Sequence, residues 1–178
     1  MHNRPNQPPT APFDPRFFPL HIALLTVGEN LMPIGYWTVI SKNPFRFLIS
    51  MGVGNHSLTL LKKYKEAALH FMPWETRETV IRAGYLSGRS LNKAEKLGFE
   101  LQPAHALKHT RILLEADSIF ETRVYMELMN LSREFAPFVL EVVHVHHSKA
   151  AIDHQPILFY GEEDFATVGA RWQYQKVD

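Results

Sequence analysis

Residues 30–61 read NLMPIGYWTVISKNPFRFLISMGVGNHSLTLL, and this stretch decides the fold. Its first part is rich in β-branched and aromatic residues, which predicts strands at residues 34–40 and 45–51 with a turn at residues 42–44 between them. A glycine-rich turn and an Asn-His-Ser step follow, and they predict a short helix over residues 57–64. The stretch therefore indicates neighbouring β-strands that run into a helix.

The rest of the chain continues this pattern of short strands and short helices. Further strands are predicted at residues 21–27, 67–72, 112–119, 122–129, 138–146 and 157–160. Helices are predicted at residues 74–86 and 91–97, and Ser90 and Gly98 are the predicted caps of the second one. Several antiparallel strands with a few short helices between them indicate a mainly β fold of the β-barrel type, with mixed connectivity.

The composition is typical of one globular domain. Of the 178 residues, 46% are hydrophobic, so the chain can bury a sizeable core. There is no cysteine, which excludes disulfides, thiolate catalysis, iron–sulfur clusters and cysteine-based zinc sites. The net charge is +1 and the basic residues are scattered, so we expect no nucleic-acid partner.

The N-terminal segment differs from the rest of the chain. Residues 1–19 hold six of the twelve prolines, which predicts an extended arm ahead of a domain over residues 20–178. The arm is either a flexible tail or lies across a partner subunit, because Phe13, Phe17 and Phe18 are poorly suited to exposure. It lacks the apolar stretch of a signal peptide, and no run of about 18 apolar residues occurs in the chain. We therefore expect no membrane partner and a cytoplasmic location.

Two segments have the composition of a phosphate-binding site. In the first, Ser57 is placed to cap a helix, and Gly52 and Gly54 allow a ligand to approach the backbone. The second is the SGRSLNK segment, in which Arg89 can contact phosphate oxygens in a forked geometry and Lys93 lies one turn into a helix. Each segment alone is also explained as a structural cap or a solvated turn, and only their convergence on one phosphate would be specific.

Residues close to the first segment suit a flat ring. Tyr36, Trp37 and their apolar neighbours can cover a mostly apolar aromatic ring, and a phosphate at one end with a ring at the other is the outline of flavin mononucleotide (FMN). No P-loop, GxGxxG or GxSxG pattern is present, and we assign no catalytic side chain. This absence fits a reaction whose chemistry is supplied by a cofactor.

The histidines near the end of the chain raise the alternative of a metal site. On a strand, His144 and His146 face the same side, and His147, Asp153 and His154 lie close to them in the sequence. A third ligand would have to come from a loop, and no HExxH-like spacing supports one. We therefore predict no metal and interpret these residues as surface or barrel-end histidines.

Several segments together match a known pattern in their order and spacing. They are NLMPIGYWT at residues 30–38, NHSL at 55–58, SGR at 87–89 with Lys93, FETRV at 120–124, FVLEVV at 138–143 and ILFYG at 157–161. With Ser41 and Pro44, they resemble the flavin reductase-like proteins, the FMN-binding split-barrel family that includes flavoredoxin. The resemblance covers about residues 19–169. Asn55 stands where an arginine is common in that family.

The resemblance implies a six-stranded antiparallel split barrel with a few short helices, assembled as a homodimer with FMN near the interface. The residues it places around the flavin are Trp37, Thr38, Val39, Ile40, Ser41, Gly52, Val53, Gly54 and Ser57. Those it places at the phosphate are Ser87, Gly88, Arg89 and Lys93. Its members typically pass a hydride from NADH or NADPH to the flavin. The expected function is therefore that of an FMN-binding oxidoreductase, and the alternatives are a non-enzymatic FMN-binding electron carrier or an interaction module without cofactor.

Overall fold

The computed structural model of the protein describes residues 11–147 and 154–169, and most of its regular secondary structure consists of antiparallel strands. The strands are β1 Leu20–His21, β2 Ala23–Val27, β3 Asn30–Ile34, β4 Trp37–Lys42, β5 Phe45–Gly52, β6 Glu66–Phe71, β7 Gln102–Pro103, β8 Arg111–Ile112, β9 Ser118–Glu127, β10 Phe135–His147, β11 Leu158–Gly161 and β12 Asp164–Ala166. The helices are α1 His56–Tyr64, α2 Arg77–Tyr85 and α3 Lys93–Leu97. Residues 1–10 of the predicted arm, Asp153 of the histidine group and residues 170–178 of the predicted domain lie outside the described residues.

Seven strands form the main sheet, in the order β3-β2-β6-β9-β10-β5-β4, with every pair antiparallel. β3 and β4 stand at opposite ends of this order, yet only Gly35 and Tyr36 separate them in the chain. Since consecutive Cα atoms are about 3.8 Å apart, the two edges must approach each other, so the sheet curls. The predicted mainly β, antiparallel fold is confirmed.

The number of strands in the main sheet is seven, not the predicted six. The strand predicted over residues 34–40 is wrong at its start. One strand, β3, ends at Ile34, and the next, β4, begins at Trp37, so the chain breaks at Gly35 and Tyr36. A Cβ on Gly35 would lie 3.1 Å from Ile22 Cδ1 and 3.2 Å from Leu20 Cδ1. The backbone therefore passes close to Leu20 of β1 and to Ile22, which lies between β1 and β2, and a regular strand with side chains on both faces does not fit there.

Both faces of the central strands are buried. Leu25 and Leu69 face one hydrophobic cluster with Phe47 and Phe138, whereas neighbouring side chains of β2 and β6 face a second cluster. The second cluster includes Val80 of α2 and lies under α2 and α3. The continuous apolar runs of β2 and β6 follow from this double burial. The packing places α2 and α3 beside the edge strand β3.

The prediction of a strand over residues 112–119 is wrong in its middle. β8 ends at Ile112 and β9 begins at Ser118, and between them the chain turns with the Ala116 N–H donating to Leu113 O. The strand β12, Asp164–Ala166, was not predicted by the sequence pattern. Both differences concern two- to three-residue pairings, which leave little periodicity in the sequence.

The predicted cap of the third helix is also wrong. α3 begins at Lys93, and its N-cap is Asn92, whose side chain accepts a hydrogen bond from the Glu95 N–H at 3.3 Å. Ser90 instead donates to Ser87 O at 3.3 Å, within the preceding turn. Gly98 ends the helix in the left-handed conformation, as predicted.

The described part of the arm folds back onto the domain. Pro15–Phe17 forms a single turn of 3-10 helix capped by Asp14. An extended arm was predicted there, but proline is compatible with the first position of a helix. The Phe18 ring lies 5.6 Å from that of Phe159 in β11, whereas Phe13 and Phe17 are exposed. Within residues 11–147 and 154–169, no helix is long and apolar enough to span a membrane.

A buried histidine joins two elements of the core. His70 in β6 is fully buried; its Nδ1 lies 3.0 Å from Leu24 O, and its Nε2 accepts the Leu113 N–H at 3.1 Å. This arrangement requires the neutral ring with the proton on Nδ1. Burial lowers the pKa of His70 to about 4.

We expect the folded protein to lose stability as the pH falls from about 6.5 towards 4. Because the pKa of His70 is near 6.5 in the unfolded chain and about 4 in the fold, the unfolded chain binds the extra proton in this range. His70 alone should lower the free energy of unfolding by about 2 kcal/mol between pH 7 and pH 5. His21, whose pKa burial also lowers to about 4, acts in the same direction.

Urea unfolding at the two pH values measures this effect, and H70Q should show a shallower pH dependence than the unsubstituted protein. Substitution of the exposed His105 is the control. An equal pH dependence for H70Q and the unsubstituted protein would contradict the assignment.

Candidate functional site

The two glycine-containing segments meet at one cavity. Arg89 Nη2 donates to Gly54 O at 2.8 Å, which joins residues 35 positions apart in the chain. Around this contact lies a cavity of about 140 Å³, named here the Arg89 pocket, whose lining includes Asn30, Asn55, His56, Ser57, Gly88 and Lys93. The structure thus brings together the two segments that sequence analysis assigned to a phosphate.

The start of α1 faces this pocket without a side-chain cap. The N-cap is Asn55, and its side chain makes no capping hydrogen bond. The prediction that Ser57 caps the helix is wrong, because Ser57 lies inside α1 and its Oγ accepts a hydrogen bond from Asn30 Nδ2 at 2.7 Å. Among the described residues the N–H groups of this first turn have no side-chain partner, although the Leu58 N–H donates to Asn55 O at 3.1 Å. A helix start of this kind favours an anion.

Arg89 is available to such an anion. Its side chain is exposed, and within residues 11–147 and 154–169 it forms no ion pair. The turn that carries it is held internally, since the Arg89 N–H donates to Ser87 Oγ at 3.4 Å. Gly88 is required in this turn, because a Cβ there would lie 1.9 Å from Asn30 Oδ1.

Lys93 takes a different position from Arg89. The residue is 94% buried, and Nζ donates to Leu31 O at 2.8 Å and to Ala83 O at 2.7 Å, which ties β3 to the end of α2. Burial lowers the pKa of Lys93. Lys93 is one of the residues that line the pocket, and the hydrogen bonds of its ammonium to described residues are made to protein carbonyls. It therefore acts on the pocket as a fixed positive charge.

The strand β4 has an exposed apolar surface. Thr38, Val39 and Ile40 are exposed, with Val39 and Ile40 45% and 48% accessible. β4 is the last strand of the main sheet, so the backbone groups along its outer edge have no strand partner among the residues that the structure describes. The register shifts between Val39 and Ser41, which makes Ile40 the extra residue of a bulge.

The start of β4 lies close to the Arg89 pocket. Tyr36 O accepts the Ser50 N–H at 2.8 Å, so the residue before β4 lies beside the end of β5, which leads through Gly52 and the exposed Val53 to Gly54. A ligand with an anionic end in the pocket can therefore place its body over β4.

The Trp37 side chain does not belong to this surface. Its Nε1 donates to His21 O at 2.7 Å, and its ring packs edge-on at 5.9 Å from Phe47 and 5.0 Å from Phe71. The ring is therefore partly buried and packed against the core. Tyr36, which is 38% exposed, is the aromatic side chain accessible at this point.

The histidines form a hydrogen-bonded and stacked group. The His105 and His144 rings stack with centroids 4.1 Å apart, and His146 Nε2 lies 2.6 Å from Glu121 Oε1. Glu121 is fully buried, and it also accepts the N–H groups of His105 and Ala106. Burial acts to raise the pKa of Glu121, but the hydrogen bonds from His146, His105 and Ala106 outweigh it and lower the pKa.

Among the described residues, no three His, Asp or Glu side chains are placed to hold a metal ion.

A second, larger cavity adjoins the first and was not predicted. It measures about 370 Å³ and is named here the Tyr64 pocket, after the ring that stacks on His109 with centroids 5.0 Å apart. It shares four lining residues with the Arg89 pocket: Asn30, His56, Gly88 and Lys93. Nothing in the local sequence pattern indicates it, because Tyr64 and His109 are 45 positions apart. Asn30, a polar residue at the start of an apolar strand, was a weak indication of this cavity.

The curled antiparallel sheet with few short helices is the architecture of a split barrel. The family model described as flavin reductase like domain matches residues 16–169, and the chain belongs to this family. The resemblance found in the sequence is thereby confirmed, and it connects the protein with flavin chemistry.

Individual proteins similar to this chain agree with that assignment. An uncharacterized protein of Archaeoglobus fulgidus is 29% identical over 146 residues, which are 80% of this chain and 81% of the relative. The FMN-binding protein of Thermus thermophilus, solved with p-hydroxybenzaldehyde, superposes with a TM-score of 0.82 at 21% identity, over 98% of this chain and 100% of that one. Flavoredoxin of Methanosarcina acetivorans gives a TM-score of 0.80 at 17% identity, over 94% and 95%. At these identities the two structures show the split-barrel fold.

Proposed function

We propose that the protein binds FMN and acts as an oxidoreductase that transfers a hydride from NADH or NADPH to the flavin. The observation that carries this proposal is the meeting of the uncapped start of α1 with Gly54 and Arg89 at one pocket, beside the exposed edge of β4. Membership of the flavin reductase like family supports it.

Each part of the site has a distinct task in this proposal. The Arg89 guanidinium and the N–H groups of the first turn of α1 bind the phosphate, and Lys93 contributes positive charge from beneath. Residues 38–41, with residues 52–54, support the ring through apolar contact and backbone hydrogen bonds. The bound FMN supplies the redox chemistry. Positioning of the two reactants is what the protein contributes, and this needs no general base.

The proposal includes a homodimer. Large apolar side chains are exposed along and after β9, among them Tyr125, Met126, Met129 and Leu131. A second copy of the chain would remove this surface from water. Light scattering of the purified protein measures its mass, and a monomer would contradict this part of the proposal.

Flavin binding and reduction test the function directly. We expect the purified protein, loaded with FMN, to show flavin absorbance that bleaches when NADH or NADPH is added without oxygen. R89A should weaken FMN binding about tenfold or more, because it removes a charge-assisted contact to the phosphate. R82A is the matched control, since Arg82 is an exposed arginine of α2 that lies outside the pocket lining.

The other outcomes separate the alternatives. Flavin absorbance that does not bleach would make the protein an electron carrier in place of a reductase. No absorbance and no fluorescence change on FMN titration would contradict both and leave a split barrel that acts only through protein contacts. Equal FMN affinities for R89A and R82A would refute the phosphate site.

A further inference from the structure

His56 lies where the two pockets meet. It is the first residue of α1, it is partly buried, and it lines both the Arg89 pocket and the Tyr64 pocket. Among the described residues, neither of its ring nitrogens makes a hydrogen bond or an ion pair. The imidazole is therefore available to a ligand.

The imidazole packs against the turn that carries Arg89. A Cβ on Gly88 would lie 3.4 Å from His56 Cδ2, the ring carbon that is bonded to Nε2. The Arg89 guanidinium is held close to the same helix start, since it donates to Gly54 O, two residues before His56. The guanidinium and the imidazole therefore converge on the first turn of α1, where the N–H groups and the helix dipole favour an anion.

A buried acceptor at the same place also indicates a ligand. Asn30 is 92% buried, its Nδ2 donates to Ser57 Oγ at 2.7 Å, and its Oδ1 accepts no hydrogen bond from any described residue. The Oδ1 atom points at Gly88, because a Cβ there would lie 1.9 Å from it. Buried acceptors are rarely left without a donor. A ligand that carries hydroxyl groups as well as a phosphate, such as the ribityl phosphate of FMN, fits this place.

The charges that face His56 from the Arg89 pocket are positive. Among the described residues, that lining contains Arg89 and Lys93 but no carboxylate, and the Lys93 ammonium already donates to two carbonyls. The further titratable side chains in the lining of the Tyr64 pocket are those of Glu29, Tyr64 and His109. A phosphate monoester carries a charge of about −1.5 to −2 at pH 7. Arg89 in direct contact does not neutralise it alone, which leaves a place for a second cation.

We propose that His56 is a pH-dependent phosphate ligand, whose imidazolium form pairs with the phosphate of FMN beside Arg89. This inference rests on the proposed FMN function. Histidine is the side chain that ordinarily changes its charge between pH 5 and 8. Protonation adds a positive charge and a second N–H donor, and charge-assisted hydrogen bonds to phosphate are the stronger kind. His56 therefore strengthens FMN binding in the slightly acidic range and ceases to do so as the pH rises.

FMN titrations of the unsubstituted protein and of H56Q at pH 6.5 and pH 8.5, followed by flavin fluorescence, test the proposal. The phosphate itself also titrates near pH 6, but this affects both proteins equally and cancels in the ratio of their affinities. The unsubstituted protein should bind FMN about fivefold more tightly than H56Q at pH 6.5, and within about twofold of it at pH 8.5.

Two further variants serve as controls. H56R carries a charge that does not titrate in this range, so its advantage over H56Q should be the same at both pH values. H109Q should keep the pH dependence of the unsubstituted protein, because His109 is a histidine of the Tyr64 pocket that lies outside the lining of the Arg89 pocket.

Riboflavin, which lacks the phosphate, separates the explanations. Its affinity should be the same for the unsubstituted protein and H56Q at each pH, which also shows that H56Q is folded. If H56Q does not fold, H56R decides: a fall in FMN affinity with pH equal to that of the unsubstituted protein would overturn the inference.

The remaining outcomes distinguish this inference from the proposed function. A ratio of FMN affinities that does not change with pH would overturn the inference and leave FMN binding intact. The same pH-dependent difference with riboflavin would show that His56 does not act through the phosphate, and this also overturns the inference. Failure of the unsubstituted protein to bind either flavin at both pH values would overturn the proposed function itself.

Discussion

Replacing Lys93 by methionine should weaken FMN binding about tenfold or more and lower the free energy of unfolding by about 2 kcal/mol. The binding effect follows from loss of the buried positive charge that lines both pockets. The stability effect follows because Leu31 O and Ala83 O lose their shared donor and remain buried in contact with an apolar side chain. Methionine keeps most of the volume of the lysine side chain, so packing changes little.

FMN titration and urea unfolding measure the two effects of K93M. K96M is the control, because Lys96 is an exposed lysine of the same helix and lies in neither pocket lining. Wild-type FMN affinity in K93M would show that the charge beneath the pocket does not act on the phosphate. Wild-type stability would show that the two carbonyls find other donors.

Replacing Glu66 by alanine should lower the free energy of unfolding by about 3–5 kcal/mol, the largest effect we expect on stability. Glu66 is 94% buried as a residue, and its carboxylate accepts three backbone N–H groups, from Lys108, His109 and Thr110. Each is a charge-assisted hydrogen bond worth about 1.5–3 kcal/mol, and their loss leaves the buried Thr110 N–H and two part-buried N–H groups without this acceptor. Because this loop carries His109 to Tyr64, E66A should also loosen the Tyr64 pocket.

Urea unfolding of E66A measures the loss. E141A is the control: Glu141 pairs with Arg46 at 2.7 Å but is 37% exposed, and its removal should cost less than about 1 kcal/mol. A loss below about 1 kcal/mol for E66A would mean that water or other groups satisfy the three N–H groups.

Much of the fold was predictable because it is encoded in local patterns. The apolar runs over β2 and β6, the turn at residues 42–44 and the helix after Asn55 were all predicted close to their observed positions. Short pairings were not, since strands such as β8 and β12 have two or three residues and depend on the partner for their existence. The break between β3 and β4 was not predicted for a different reason, because it depends on the close packing of Gly35 against Leu20 and Ile22, which are distant in the sequence.

The candidate site was likewise only partly predictable from the sequence. Gly54 and Arg89 were singled out from residue type and spacing, and the structure joins them by a hydrogen bond. The behaviour of Ser57 and Lys93 was not predictable, because each side chain is oriented by a partner far away in the sequence: Asn30 for the first, Leu31 O and Ala83 O for the second. Their direct roles at a phosphate stay predictions.

The sequence by itself determined a mainly β chain with two phosphate-type turns, because strand alternation, turn residues and helix starts are properties of neighbouring residues. Only the tertiary structure decided that those turns face each other, that Lys93 is buried beneath them and that Tyr64 and His109 enclose a second cavity. The physical reason is that these contacts depend on how the sheet curls and which elements pack at its edge. That geometry is set by the whole core, and no single segment carries it.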